Sequence, residues 1–375
     1  MLTKSRISQQ SYWIKSKLID INMEESKQPK KYNLRKRQNI TKSGGNKNGH
    51  TISEESSPKS KYSKKEDEYS ETEMISSRKP SIELLKDWQI IYTRLHQVST
   101  ICSVDDYTMW IGSPKSNLLK VKYDLVRSST ITYIKEFEYP DVDFYDFCYD
   151  FDDDRILYSD RKNSSITAIS SEYEISLFKS FRPLKPTCIT ISSDNYIFVG
   201  LVNKYSNDES PSRSIIKMCK DGTVCLKIDS IQEGKAIFIM PHRCIVNSVN
   251  NNIIVAAFEN SKSKGKIIVF NDEGQVISMY TDDRHGVKFC PSFVTCSPVG
   301  DIICSDEKSG DILMFDSQAK LLNVIKKGDC RLYGNPYSMA WDTNDQLIIG
   351  TKSNPSSKST GAIQLARYIQ DTESK

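Results

Sequence analysis

The chain has 375 residues, of which 38% are apolar and 27% charged, with a formal net charge of +4. The apolar share is low for a chain packed throughout. No apolar run approaches the ~18 residues of a membrane helix, and the N-terminus lacks the ~7–15-residue apolar core of a secretory signal. Membrane, collagen-like and disulfide-miniprotein classes are therefore set aside, and an intracellular protein, cytoplasmic or nuclear, is expected.

Residues 1–80 hold 18 Lys or Arg against 10 Asp or Glu, and the remainder holds 34 against 38. A basic arm thus precedes a slightly acidic body. The arm is rich in Ser, Lys, Glu, Asn and Gln and poor in aliphatics. Such a segment cannot bury enough apolar surface to offset chain entropy, and 1–80 is predicted to be a disordered tail. Lys27, Lys30, Lys31, Arg35, Lys36 and Arg37 form a basic cluster of the kind that serves nuclear import, or simply solvates a tail. Ser53, Ser56, Ser57, Ser70 and Thr72 lie in acidic phosphorylation-type segments.

From about Leu95 onward, Val, Ile, Tyr, Phe and Thr runs alternate with Asp, Asn and Gly turns, as short strands do. A unit of four strands recurs six times. Its copies are expected to span 98–134, 142–178, 187–228, 244–280, 292–325 and 337–368. The second strands of copies two to six start near Ile156, Tyr196, Ile253, Ile302 and Leu347, in steps of 40, 57, 49 and 45 residues. That is the scale of one propeller blade. Runs of three or four apolar residues in these strands suit a strand covered on both faces, where a sandwich would alternate. The fold class predicted is all-β: a six-bladed β-propeller over 82–370. A closed ring needs an outer strand for the weak last copy. Trp88–Thr93 is expected to supply it, so that deleting 86–94 destabilises the domain more than deleting 1–80.

All ten cysteines lie between Cys102 and Cys330, none in a C-x-x-C pair. They are expected to be structural thiols, including the i, i+6 pairs Cys219/Cys225 and Cys290/Cys296, read as small buried hydrophobes. The acidic turns at Asp105–Asp106 and Asp152–Asp154 are read as solvated turn residues rather than calcium ligands. Trp110 and Trp341 are read as core. No EF-hand spacing, Gly-rich phosphate loop or G-x-S-x-G elbow occurs, and no metal or other cofactor is expected.

The fifth unit, Pro291–Asp306 followed by Gly310–Asp316, carries the clearest repeat, and with its neighbours resembles an NHL-type β-propeller. The stretch from Leu84 to Ile111 is similar to the lead into the C-terminal propeller of invertebrate, molluscan-type, tripartite-motif-like proteins. The resemblance covers roughly 82–370. In that family a RING and B-box come first, and the RING supplies ubiquitin-ligase activity. Here the first 101 residues contain no Cys and only His50 and His96. A RING needs about eight Cys and His ligands. Ligase activity is therefore not carried over, and the expectation is a noncatalytic binding module.

The segments leading into the inner strands share Arg, His and aromatic residues: Arg94, His96, Arg182, His242, Arg243, Arg284, His285, Arg331 and Tyr333. In a propeller these loops gather around one mouth of the channel. A rim of this chemistry suits a protein or acidic peptide, or single-stranded RNA; the plain alternative is that Arg decorates polar loops. The rival function is a lactonase- or lyase-like propeller enzyme with a metal held in the central channel by inward carboxylates or histidines.

Overall fold

In a computed structural model the described residues are 79–84, 90–113, 117–124, 130–138, 144–203, 213–229, 231–232, 235–259, 264–281, 288–329, 332–353 and 360–370. They form strands and turns, with no helix among them. None therefore offers a helix long and apolar enough to cross a membrane. The basic cluster at Lys30, Lys31, Arg35, Lys36 and Arg37 lies outside the described residues.

Two short strands come first, β1 (Ser81–Leu84) and β2 (Ile91–Tyr92). Blade 1 comprises β3 (Thr100–Ser103), β4 (Thr108–Ser113), β5 (Asn117–Asp124) and β6 (Thr130–Glu138). Blade 2 comprises β7 (Phe144–Asp150), β8 (Arg155–Asp160), β9 (Ser165–Ile169) and β10 (Ile175–Ser180). Blade 3 comprises β11 (Lys185–Ile191), β12 (Ile197–Val202), β13 (Arg213–Met218) and β14 (Val224–Asp229). A small hairpin, β15 (Ile231–Gln232) with β16 (Lys235–Ala236), links it to the next blade. Blade 4 comprises β17 (Met240–Val246), β18 (Ile253–Phe258), β19 (Gly265–Phe270) and β20 (Val276–Tyr280). Blade 5 comprises β21 (Pro291–Cys296), β22 (Ile302–Asp306), β23 (Ile312–Phe315) and β24 (Leu321–Ile325). Blade 6 holds β25 (Asn335–Trp341), β26 (Gln346–Lys352) and β27 (Ala362–Ile369).

Each blade is an antiparallel meander, and the innermost strands touch in the cyclic order β3, β7, β11, β17, β21, β25 and back to β3. This is the six-bladed β-propeller expected from the repeat. The ring closes differently from the expectation. The outer strand of blade 6 is β1, which pairs along β27 from Ser81 opposite Ile369 to Leu84 opposite Ala366. Only Ile91 and Tyr92 of the expected segment join β27, at its other end. Ile82 turns into the core shared by blades 5 and 6, which a four-residue strand needs to hold its place.

The core explains the apolar runs. Each of the six main clusters is shared by two neighbouring blades. Along β18, Ile253, Val255 and Ala257 face blade 3, while Ile254 and Ala256 face blade 5. A strand with a blade on either side needs apolar residues at every position.

The turns follow one chemistry. In Ser192–Tyr196, Ser297–Asp301, Asp342–Gln346, Asn271–Gln275, Asp316–Lys320 and Ser170–Glu174, the first side chain accepts the backbone N–H four residues on. The fourth residue of each is left-handed: Asn195, Gly300, Asp345, Gly274, Ala319 and Tyr173. This is the three-residue hairpin loop in which a type I turn is followed by a residue of positive φ.

Candidate functional site

The second strand of every blade carries a small residue near its end: Gly112, Ser159, Gly200, Ala256, Ser305 and Gly350. A Cβ on Gly200 would stand 2.6 Å from Cys188 Sγ and 2.9 Å from Pro241. The inner strand bulges opposite these positions in blades 2 to 6, and Pro186, Pro241, Pro291 and Pro336 stand at four of the bulges. Proline is tolerated there because the ladder is already broken. Bulges also re-aim side chains.

The residues opposite the small positions are Thr100, Cys188, Arg243, Phe293 and Ser338. Asp146 takes the same place in blade 2, where its N–H donates to Ser159 Oγ at 2.9 Å. These six converge. Arg243 Nε lies 3.9 Å from Asp146 Oδ1, joining blades 4 and 2 across blade 3. Thr100 donates to Asp146 Oδ1 at 3.4 Å and the Ile189 N–H to Oδ2 at 3.1 Å. Arg243 donates from Nη1 to His242 O at 3.1 Å and from Nη2 to Ser99 O at 3.3 Å. Its guanidinium also stands 5.3 Å from the Tyr145 ring and 5.4 Å from Phe293. Asp146 and Arg243 are each only 4% exposed. Burial pushes the Asp146 carboxyl above its ordinary range, against the pull of the Arg243 charge and of the Ile189 N–H. For Arg243 burial works the other way, but Asp146 together with Tyr145, Tyr337 and Cys188 outweighs it and the guanidinium stays protonated.

Above this layer the Tyr145 hydroxyl and His242 Nδ1 share a hydrogen bond of 2.6 Å. The Arg161 guanidinium lies over the Tyr145 ring, 4.5 Å from its centre. Lys352 reaches the Tyr337 ring at 5.2 Å and Glu307 at 3.3 Å. A shallow depression is lined by Ser99, Thr100, Asn117, Phe144, Tyr145 and Asp146, among others.

The expected rim residues are dispersed. His242 and Arg243 are buried in the channel, not displayed on its rim. Arg94 is exposed but lies against the outer strand of blade 1, 4.1 Å from the Tyr133 ring and 3.7 Å from Glu136. His96 is exposed, and its carbonyl accepts from Ser353. Arg182 is exposed in the turn between blades 2 and 3. Tyr333 is half-buried against Tyr92. Arg284, His285 and Arg331 lie outside the described residues. Sequence reasoning missed Asp146, whose carboxylate hides in the aromatic run Phe144–Phe147; aligning it with Arg243 on the small residue of the facing strand would have found it.

Among the described residues no group of three or more His, Cys, Asp or Glu stands close enough to hold a metal ion. Asp105, Asp106, Asp152 and Asp153 of the acidic turns are exposed, Asp152 pairing with Lys220 at 2.9 Å and Asp153 with Arg155 at 2.7 Å. The cysteines divide. Cys188, Cys244, Cys290 and Cys304 are buried, whereas Cys225 is exposed and Cys219 half-exposed. These last two sit in a surface hairpin beyond the inter-blade core, which corrects the expectation of small buried hydrophobes.

No family model and no curated protein matches the chain. Solved structures match its fold. A luciferin-regenerating enzyme is 11% identical with a TM-score of 0.55, over 77% of this chain and 95% of that one. A gluconolactonase from Xanthomonas campestris is 12% identical with a TM-score of 0.54, over 78% and 95%. A putative oxidoreductase (glucose dehydrogenase) from Thermus thermophilus is 9% identical with a TM-score of 0.51, over 76% and 99%. At such identities the likeness shows the propeller fold.

Proposed function

We propose that the protein is a noncatalytic binding module that presents one propeller face to a protein or acidic peptide. The observation that carries this reading is the Asp146–Arg243 pair. It places a guanidinium where the six inner strands meet, so the channel is spent on an internal contact and recognition falls to the loops. Exposed cations stand on the loops around that face, among them Lys162, Arg182, Lys288 and Lys308. Cationic loops favour acidic partners. We also assign the repeats to the NHL type, supported by the recurrent hairpin of the fifth unit, and place the protein inside the cell.

The rival reading is a lactonase- or lyase-like propeller enzyme. Its support is that the solved structures of similar fold include proteins named as enzymes. It needs several inward carboxylates or histidines around a cation. The matching positions here hold Thr100, Asp146, Cys188, Arg243, Phe293 and Ser338, one carboxylate already paired with a guanidinium. These described residues do not fit a channel metal.

Crosslinking of the full chain in cell extract, followed by identification of the captured molecules, tests the reading. Capture of one protein by the wild type, lost when Lys162, Arg182, Lys288 and Lys308 are changed to Glu, supports it. Selective capture of RNA would replace the protein partner, and turnover of a lactone by the purified chain would favour the enzyme. Import by the tail is tested by replacing Arg35, Lys36 and Arg37 with Ala and imaging the protein; unaltered distribution argues against it.

A further inference from the structure

In blade 3 the turn between β13 and β14 carries two free thiols. Cys219 closes the turn, its N–H donating to Thr223 O at 2.9 Å. Met218 pairs with Val224 and Lys217 with Leu226, which leaves Cys225 as the extra residue of a bulge. The bulge aims its side chain back along the hairpin, and the two Sγ atoms stand 3.1 Å apart. Cys225 is exposed and Cys219 half-exposed. Other described thiols differ: burial pushes Cys102 and Cys188 up to about 12 and holds Cys148, Cys244, Cys296 and Cys304 well above the ordinary thiol range. The Cys219 thiol is raised as well, chiefly by its hydrogen bond to Cys225, but solvent and a dissolved reagent reach this pair and not the buried thiols.

We propose that Cys219 and Cys225 form a reversible disulfide, with a low-molecular-weight disulfide such as oxidised glutathione as the oxidant. The Cys225 thiolate attacks one sulfur of the reagent. A Cys225–reagent bond forms, the reagent's S–S bond breaks, and one reagent thiol leaves with the electron pair. The Cys219 thiolate then attacks the Cys225 sulfur and releases the second reagent thiol. The protein gives up two protons and two electrons, and the reagent disulfide becomes two thiols.

The crosslink acts on a turn that joins two blades. Between the cysteines, Lys220 Nζ reaches Asp150 Oδ1 at 2.6 Å and Asp152 Oδ2 at 2.9 Å, both in blade 2. From blade 2, Lys179 Nζ donates to Gly222 O. Closing the loop fixes the turn in the conformation that makes these contacts and raises resistance to heat.

The test uses the full chain, equilibrated at a series of reduced-to-oxidised glutathione ratios, alkylated, and digested with trypsin without reduction. Cleavage after Lys217, Lys220 and Lys227 separates the two cysteines unless they are joined. The expected result is the linked peptide pair Met218–Lys220 and Asp221–Lys227, lighter by two hydrogens than the two free peptides together. It is reversed by dithiothreitol, and the oxidised protein melts a few degrees higher. Cys225→Ser abolishes the linked pair and the shift; Cys290→Ser keeps both. Alkylation of both thiols at every ratio, a glutathione adduct at Cys225 that never resolves, or linkage of either cysteine to a different partner would overturn the proposal.

Discussion

Arg243 and Asp146 occupy one register position in different blades, and neither has solvent to fall back on. Removing one partner of a buried pair leaves the other charge uncompensated, at a cost of ~3–5 kcal/mol. Arg243→Met should lower stability on that scale in urea melts, and adding Asp146→Leu should recover most of the loss. A single variant as stable as wild type would show that the pair is idle. Asp150 makes a second prediction. Burial pushes its carboxyl up, but the hydrogen bond and charge of Lys220, then those of Arg155, bring it below the ordinary carboxylate range. A carboxyl depressed in the fold stabilises above its unfolded pKa of ~3.9 and loses that contribution as pH falls through the folded value. Lys220, raised by the same contact, loses its share only as pH climbs through its folded value. Asp150→Asn should therefore cost ~1–3 kcal/mol at pH 7. The gap to wild type should narrow as pH falls below about 4; a gap in chemical denaturation that stays constant on acidification would count against the ion pair.

At the scale of elements, ring closure rests on β1. A chain starting at Lys79 keeps every β1 partner, whereas one starting at Leu85 exposes the edge of β27 and uncovers the core that Ile82 shares with blades 5 and 6. The second truncation should melt well below the first, because losing a buried Ile side chain alone is worth ~2–5 kcal/mol. Equal melting temperatures would mean that β1 does not close the ring. The same element shows where sequence reading stops. Strands covered on both faces write themselves as unbroken apolar runs, such as Ile253–Phe258, and the blade pattern was legible from them. An outer strand needs one apolar face, so Ser81–Leu84 shows only Ile82 and Leu84, and the more apolar Trp88–Thr93 drew attention instead. The site was legible in part: Arg243 stood out as a residue type, but its inward direction comes from a bulge that proline marks and hydropathy does not.

For the whole molecule, a divalent cation in the channel has no part in stability under the proposed binding-module reading. A ligand bound only by the native state raises the melting temperature with its concentration. Melting should be the same after exhaustive chelation and in millimolar calcium, and a calcium-dependent rise would return the channel enzyme to first place. The joint between β1 and β27 also bears on how the protein is made. These strands lie at opposite ends of the described domain, so the ribosome delivers one of them long before the other. At ~5–20 residues per second the wait is on the order of 15–60 s. Until then the open arc carries a raw sheet edge, the kind of surface that pairs with other chains.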